Sequence, residues 1–284
     1  MGQFSETLLG RGNKPLMLEH SLHPALCEQL IWRRGPHLWQ TEETAQLTLA
    51  DGYRLSGFGG AVVSLSDEQA KEDFPLPDWL RRQLPAETEL ICGMAEGPAQ
   101  RIAAGEKPDQ ILEQFPHAAA ALASRSDGLF LRDDWSGISD AGLQQEILSC
   151  LKRACEQIHE QGKPVIWVDG TPEPLPLSQL PDCFDAVQLS ESYPLSTGEM
   201  MQEYGKQFCL MGRTDFSRLM TLRPMEIIED FASLQELAEK AGVRGYIHGS
   251  GNISAAPVPY LTYLSMLSAM KRLRYNELDI SIKI

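Results

Sequence analysis

Five apolar runs of this sequence stop on side chains that can hold a proton, an anion or a polar ligand. The first ends in Arg132-Asp133-Asp134-Trp135-Ser136-Gly137, the second in Val168-Asp169-Gly170-Thr171 and the third in Ser190-Glu191-Ser192-Tyr193. Gly212-Arg213-Thr214-Asp215 closes the fourth, and His248-Gly249-Ser250-Gly251-Asn252 the fifth. Asp133 and Asp134 can exchange a proton, and so can His248, because an imidazole titrates near neutral pH. These three are the catalytic candidates. Arg213 is a fixed cation that can orient a carboxylate or pair with Asp133, Asp134, Asp169, Glu191 or Asp215. With Trp135, Ser250 and Asn252, the residues Asp169, Glu191, Arg213 and Asp215 make up the candidate binding set.

Each of these residues also has an ordinary structural reading. Loops are polar by default, acids cap the helix that follows them, as Asp140 before AGLQQE is placed to do, and His248 can be a strand residue with a satisfied ring. Their recurrence at the same end of successive runs is what points to a pocket. Other chemistries lack their motifs. There is no G-x-S-x-G elbow, no G-x-x-x-x-G-K-[ST] phosphate loop and no H-E-x-x-H. His20, His23 and Cys27 have neither a fourth ligand nor a familiar zinc spacing, so no metal site is expected. The cysteines at 27, 92, 150, 155, 183 and 209 form no C-x-x-C pair and read as reduced thiols.

Such strand-end residues need elements that bring them together. From residue 89 short apolar runs alternate with amphipathic segments, the pattern of successive βα units around a parallel sheet. Strands are expected at 89–95, 128–133, 164–169, 186–190, 208–212 and 245–249. Leu143, Ile147, Leu151, Ala154 and Ile158 recur at helical spacing before Gly162, PMEIIEDFASLQELAEKAG repeats that design up to Gly242, and a last helix is expected over about 258–273. The fold class that follows is α/β, a (β/α)8 TIM-type barrel with an irregular N-terminal segment, whose loops converge at the C-terminal ends of the strands. The 284 residues suit one domain, 1–284. Residues 1–88 are expected to add one or two strands, with GFGGAVVSLS a candidate and PLPDWLRRQLP a short helix, and to cover one barrel end. A net charge of -14 argues against nucleic-acid partners. No run of apolar residues is long enough for a membrane span and no signal peptide is evident, so a cytoplasmic protein is expected. Its oligomeric state is left open.

The strand ends resemble those of the uroporphyrinogen decarboxylase superfamily, which includes the decarboxylase, corrinoid-dependent methyltransferases and cobalamin-independent methionine synthases. SDGLFLRDDWSG at 126–137 is similar to the decarboxylases' F-D-S-W-A-G strand end, and GKPVIWVDG at 162–170 sits where the methyltransferases have H-x-C-G. LMGRTDFSRLM at 210–220 resembles the family's G-N-x-D or G-x-x-D turn, and GYIHGSGNISAAPVP at 245–259 its closing glycine-rich loop. The resemblance covers roughly residues 89 to 275. Departures from the pattern bear on chemistry. Val168 and Gly170 stand at the first two zinc-ligand positions of the methyltransferases, and Ser250 and Gly251 where a cysteine is needed. The decarboxylases' R-Q-A-G-R-Y segment has no counterpart here, and Ser250 stands roughly where their closing loop carries histidine.

The resemblance therefore implies a divergent family enzyme acting on a tetrapyrrole-related or methyl-bearing substrate by acid/base chemistry. Asp133 or Asp134 and His248 would transfer protons, Arg213 would orient a carboxylate and Trp135 would pack on a macrocycle. A zinc-independent methyltransferase is the alternative, with a corrinoid supplied by a partner protein and no cofactor of its own. A third reading is a tetrapyrrole-binding or carrier protein without catalysis.

Overall fold

The computed structural model describes residues 3–11, 15–17, 24–32, 35–38, 40–56, 60–65, 76–84, 86, 88–94, 96–169, 177–180, 182–189, 193, 195–212, 219–249 and 259–275. Six strands stand on the six apolar runs after residue 88: β3 (Glu89–Met94), β4 (Gly128–Asp133), β5 (Val165–Asp169), β6 (Ala186–Leu189), β7 (Cys209–Gly212) and β8 (Tyr246–His248). Two more precede them, β1 (Leu16–Met17) and, within GFGGAVVSLS, β2 (Gly60–Leu65). All pairings are parallel, in the order β1-β8-β7-β6-β5-β4-β3-β2. The sheet curls into a (β/α)8 TIM-type barrel, with helices on its outside.

Helices among the described residues are α1 (Gln3–Leu8), α2 (Pro24–Leu30), α3 (Glu42–Ser56), α4 (Leu76–Gln83), α5 (Pro98–Ala103), α6 (Pro108–Ser124), α7 (Ala141–His159), α8 (Thr197–Glu203), α9 (Pro224–Ala241) and α10 (Tyr260–Tyr275). Local chemistry sets their ends. Asp140 caps α7 by accepting the Leu143 N–H at 2.7 Å. Gly242 ends α9 in the left-handed conformation, φ 62°, which glycine adopts without steric penalty. No helix is long and apolar enough to cross a membrane among the described residues.

Side chains alternate between two apolar layers, as the two-residue period of a strand requires. Leu16, Val62, Ile91, Phe130, Ile166, Val168, Ala186, Cys209, Met211 and Ile247 meet on the inner face of the barrel. Their neighbours Ala61, Leu90, Cys92, Leu129, Leu131, Val165, Trp167, Val187, Leu210 and Tyr246 face outward and join the helices in the larger cluster. Five of the six cysteines are buried and all six are free.

The N-terminal ends of the strands are held by acids that accept backbone N–H groups. Helix α1 lies across this end, with Leu8 fully buried in the inner cluster. Its Ser5 donates both its backbone N–H, at 3.0 Å, and its hydroxyl to the buried Glu89 carboxylate at the start of β3. Asp127, just before β4, accepts the Leu90 N–H at 2.8 Å and pairs with Arg81 of α4. Asp185, just before β6, accepts the Val165 N–H at 2.9 Å, contacts His159 at 2.8 Å and accepts from Arg244 at 3.3 Å. This face of the barrel is given over to structure.

Candidate functional site at the C-terminal ends of the strands

The inner face near the opposite mouth is set by register. Arg132 is paired with Val168, Val168 with Gln188, and Gln188 with Met211. Arg132 follows the inward Phe130 by two residues, and Gln188 follows the inward Ala186 by two, so both project toward the barrel axis. Gln188 is 6 % exposed, and its Oε1 has no hydrogen-bond partner among the described residues. Arg132 is half-buried at the end of an otherwise buried strand. Neither was singled out from the sequence. The signal was present, because each stands two positions beyond a core residue of its strand. It is faint because strands of a parallel barrel are apolar on both faces and do not show which face is inside.

Asp133 occupies the next position and therefore turns outward. Its carboxylate accepts the backbone N–H groups of Ala99 at 3.0 Å, Gln100 at 2.9 Å and Asp134 at 3.0 Å. The first two belong to the opening turn of α5, whose N-cap, Gly97, has no side chain to offer. Asp133 thus caps α5 from a neighbouring element, satisfying amides that the helix leaves free. Burial pushes its carboxyl up to about 7, against the pull of the three N–H donors. Four residues further on, a Cβ at Gly137 would crowd the Ala103 side chain at 2.6 Å, so this turn is seated on the other end of α5. The Asp-Asp-Trp-Ser-Gly segment is therefore a clamp on α5.

Asp134 closes a local turn, accepting the Ser136 N–H at 2.9 Å and its hydroxyl at 2.6 Å. Trp135 is buried in the outer apolar cluster, so its ring lies in the layer between sheet and helices. His248 also turns outward. It is fully buried, stacked on Phe231 of α9 at 4.8 Å and met edge-on by Tyr246 at 4.7 Å. Its Nε2 lies 3.3 Å from the Gln235 amide oxygen, and desolvation lowers its pKa to about 3, so the ring is neutral. Asp133, Trp135 and His248 are thus brought to the same end of the barrel but not to its axis.

Asp169 ends β5, opposite Asp133 in register. Glu191, Arg213, Asp215, Ser250 and Asn252 lie outside the described residues. His20 and His23 lie outside them as well. A zinc centre of the kind found in the methyltransferases that the strand ends resemble does not fit the residues present. Val168, which the resemblance sets at the first ligand position, is a buried hydrocarbon with no electron pair to donate, and Gly170 has no side chain. No three His, Cys, Asp or Glu side chains come together as a metal ion requires among the described residues.

By fold the chain is similar to a methyltransferase from Methanosarcina mazei, with a TM-score of 0.65 at 13% identity over 95% of this chain and 97% of that one. It is also similar to an L-ribulose 3-epimerase, TM-score 0.54 at 11% identity, covering 90% of this chain and 97% of the other. A D-allulose 3-epimerase from Methylomonas sp. matches at a TM-score of 0.51 and 15% identity, over 93% and 98% of the two chains. At these identities the likeness is one of fold. No family model matches the sequence, and no curated protein matches it.

Proposed function

We propose that this barrel transfers a methyl group from a corrinoid carried by a separate protein to a small acceptor, without a zinc ion of its own. The observation that carries this reading is the nearly end-to-end likeness to the Methanosarcina mazei methyltransferase. The strand-end motifs resembling the uroporphyrinogen decarboxylase superfamily support it from the side of sequence. A methylated corrinoid supplies an electrophilic methyl carbon. The acceptor's lone pair forms the new bond to that carbon and the old bond breaks with its electron pair remaining on the corrinoid; an amine acceptor also gives up a proton to water, whereas a thiolate has none to lose. With Val168 and Gly170 at the ligand positions, no metal activates a thiol here, so the acceptor arrives already nucleophilic, as an amine or a preformed thiolate.

The chain's own contribution is to bind and orient the acceptor and keep water out. Asp133 acts as a positioning residue, holding α5 against the end of β4 beside Arg132. Asp169 at the end of β5, together with Arg213, Glu191, Asp215, Ser250 and Asn252, is assigned to contacts of acceptor and corrinoid. Acid/base decarboxylation of a tetrapyrrole is less well supported, because its described proton carriers Asp133 and His248 are buried against the helices.

The test mixes the protein with methylcobalamin and panels of amines and thiols, following the corrinoid absorbance and the acceptor mass. Loss of the methylcobalamin spectrum together with a methylated acceptor is expected. An unchanged spectrum across both panels overturns the reading. Tight retention of methylcobalamin or a porphyrin without turnover would move the assignment to a carrier protein.

A further inference from the structure

We infer that Arg132 and Gln188 form the recognition site of the acceptor, and that the acceptor is a small carboxylic acid carrying an amine. The amine's fate as methyl acceptor rests on the methyl-transfer reading; the binding site itself does not. Both side chains project inward at the C-terminal end, and through Val168 they stand two strands apart at matched register. That separates their Cα atoms by about 10 Å across the sheet, a span that two long side chains on a concave surface can close around a small molecule. Met211, the next register partner, and Val168 between them give an apolar floor for its hydrocarbon part.

The two polar groups ask for different atoms. Gln188 is 6 % exposed, and its amide oxygen is buried with no partner among the described residues. Such an acceptor is expensive to leave unmet, and only an N–H or O–H donor satisfies it. The Arg132 guanidinium offers donors alone, in a planar fork that fits a carboxylate, and it makes no ion pair among the described residues. An ammonium held at the Gln188 oxygen becomes a nucleophile by giving one proton to water, and the lone pair so freed can take the methyl group of a carrier docked at the mouth.

The experiment titrates the full chain with 4-aminobutanoate, butanoate and 4-aminobutanamide by calorimetry, and repeats this for Arg132→Gln, Arg132→Lys and Gln188→Leu. The unmodified chain is expected to bind 4-aminobutanoate tightest of the three. Arg132→Gln should weaken it by roughly tenfold or more while leaving 4-aminobutanamide unchanged, since a charge-assisted bond is what is lost. Arg132→Lys, which keeps the charge without the fork, should fall between and covers a failure of Arg132→Gln to fold. Gln188→Leu should abolish the preference for 4-aminobutanoate over butanoate and, by removing an orphaned acceptor, raise the melting temperature. Equal binding of all three probes, no saturable binding at millimolar concentration, or an Arg132→Gln variant that binds 4-aminobutanoate undiminished overturns the inference. Carboxylate selectivity without methyl transfer would leave this site standing and sink the methyltransferase reading. Methyl transfer indifferent to the carboxylate would do the reverse.

Discussion

Gly97 lies so close to Asp133 that a Cβ on it would overlap the Asp133 carboxyl carbon and the Arg132 carbonyl oxygen. The N-cap position of α5 is thus left bare, and the carboxylate that serves as its cap comes from the end of β4. One substitution on either side of this contact should disturb the same small region.

Gly97→Ala forces the methyl group into the carboxylate and the β4 backbone, neither of which is a flexible chain end. Overpacking of this kind costs about 1 to 3 kcal/mol. The expected result is a lower melting temperature with faster amide exchange at Ala99 and Gln100. Unchanged exchange at those two amides would show that α5 is not held in this way.

Asp133→Ala removes the acceptor of three backbone N–H groups and should cost about 3 kcal/mol, as loss of a buried cap and its hydrogen bonds typically does. Asp133→Asn should cost less, because one oxygen remains. If Asp133 were instead a proton carrier at the axis, Asp133→Asn would abolish turnover without affecting thermal stability.

Asp133 and His248 should make opposite contributions to the pH dependence of stability. The Asp133 carboxyl is raised from an ordinary 3.8 to about 7, so its contribution is fully present below about 4 and is lost as pH rises through 7. The His248 ring is lowered from an ordinary 6.5 to about 3, so its contribution is present above 6.5 and is lost as pH falls through 3. Between these limits the native chain holds one proton on Asp133 and the unfolded chain one on His248, and the two slopes offset each other. Urea unfolding across pH 4 to 8 should therefore show Asp133→Asn more acid-labile than the unmodified chain. His248→Phe, which keeps the stack on Phe231, should gain relative stability toward acid. Parallel pH profiles for all three proteins would contradict the assignment.

Asp185→Ala should destabilise the barrel by about 3 kcal/mol, since it leaves the Val165 N–H and the Arg244 guanidinium without their shared carboxylate. Because this cluster lies at the N-terminal ends of the strands, ligand binding at the opposite mouth should be unchanged in the folded fraction. A large loss of affinity at full folding would argue against that division between the two ends.

The fold was largely legible because its signals are local. The six strands after residue 88 announce themselves as apolar runs of strand length, and α7 and α9 by a three- and four-residue repeat with a stop at Gly162 or Gly242. The site was legible only in position along the chain. Asp133, Trp135 and His248 stand at strand ends, as their place in the sequence requires. The side of the strand they occupy was hidden, because residues on both faces of a buried parallel strand are apolar and a one-residue step reverses the direction of the side chain. Arg132 was passed over beside two acids for that reason, and Gln188 because it lies inside an apolar run.

By itself the sequence determined the order of βα units after residue 88 and the parallel sheet they imply. These follow from periodicity and turn chemistry within a few residues of one another. Tertiary structure alone decided that the Asp133 carboxylate belongs to α5 and the His248 ring to Phe231, while Arg132 and Gln188 face the axis. The curvature of the sheet and the register between strands fix which alternate positions point inward, and both arise from pairings between segments distant in the chain.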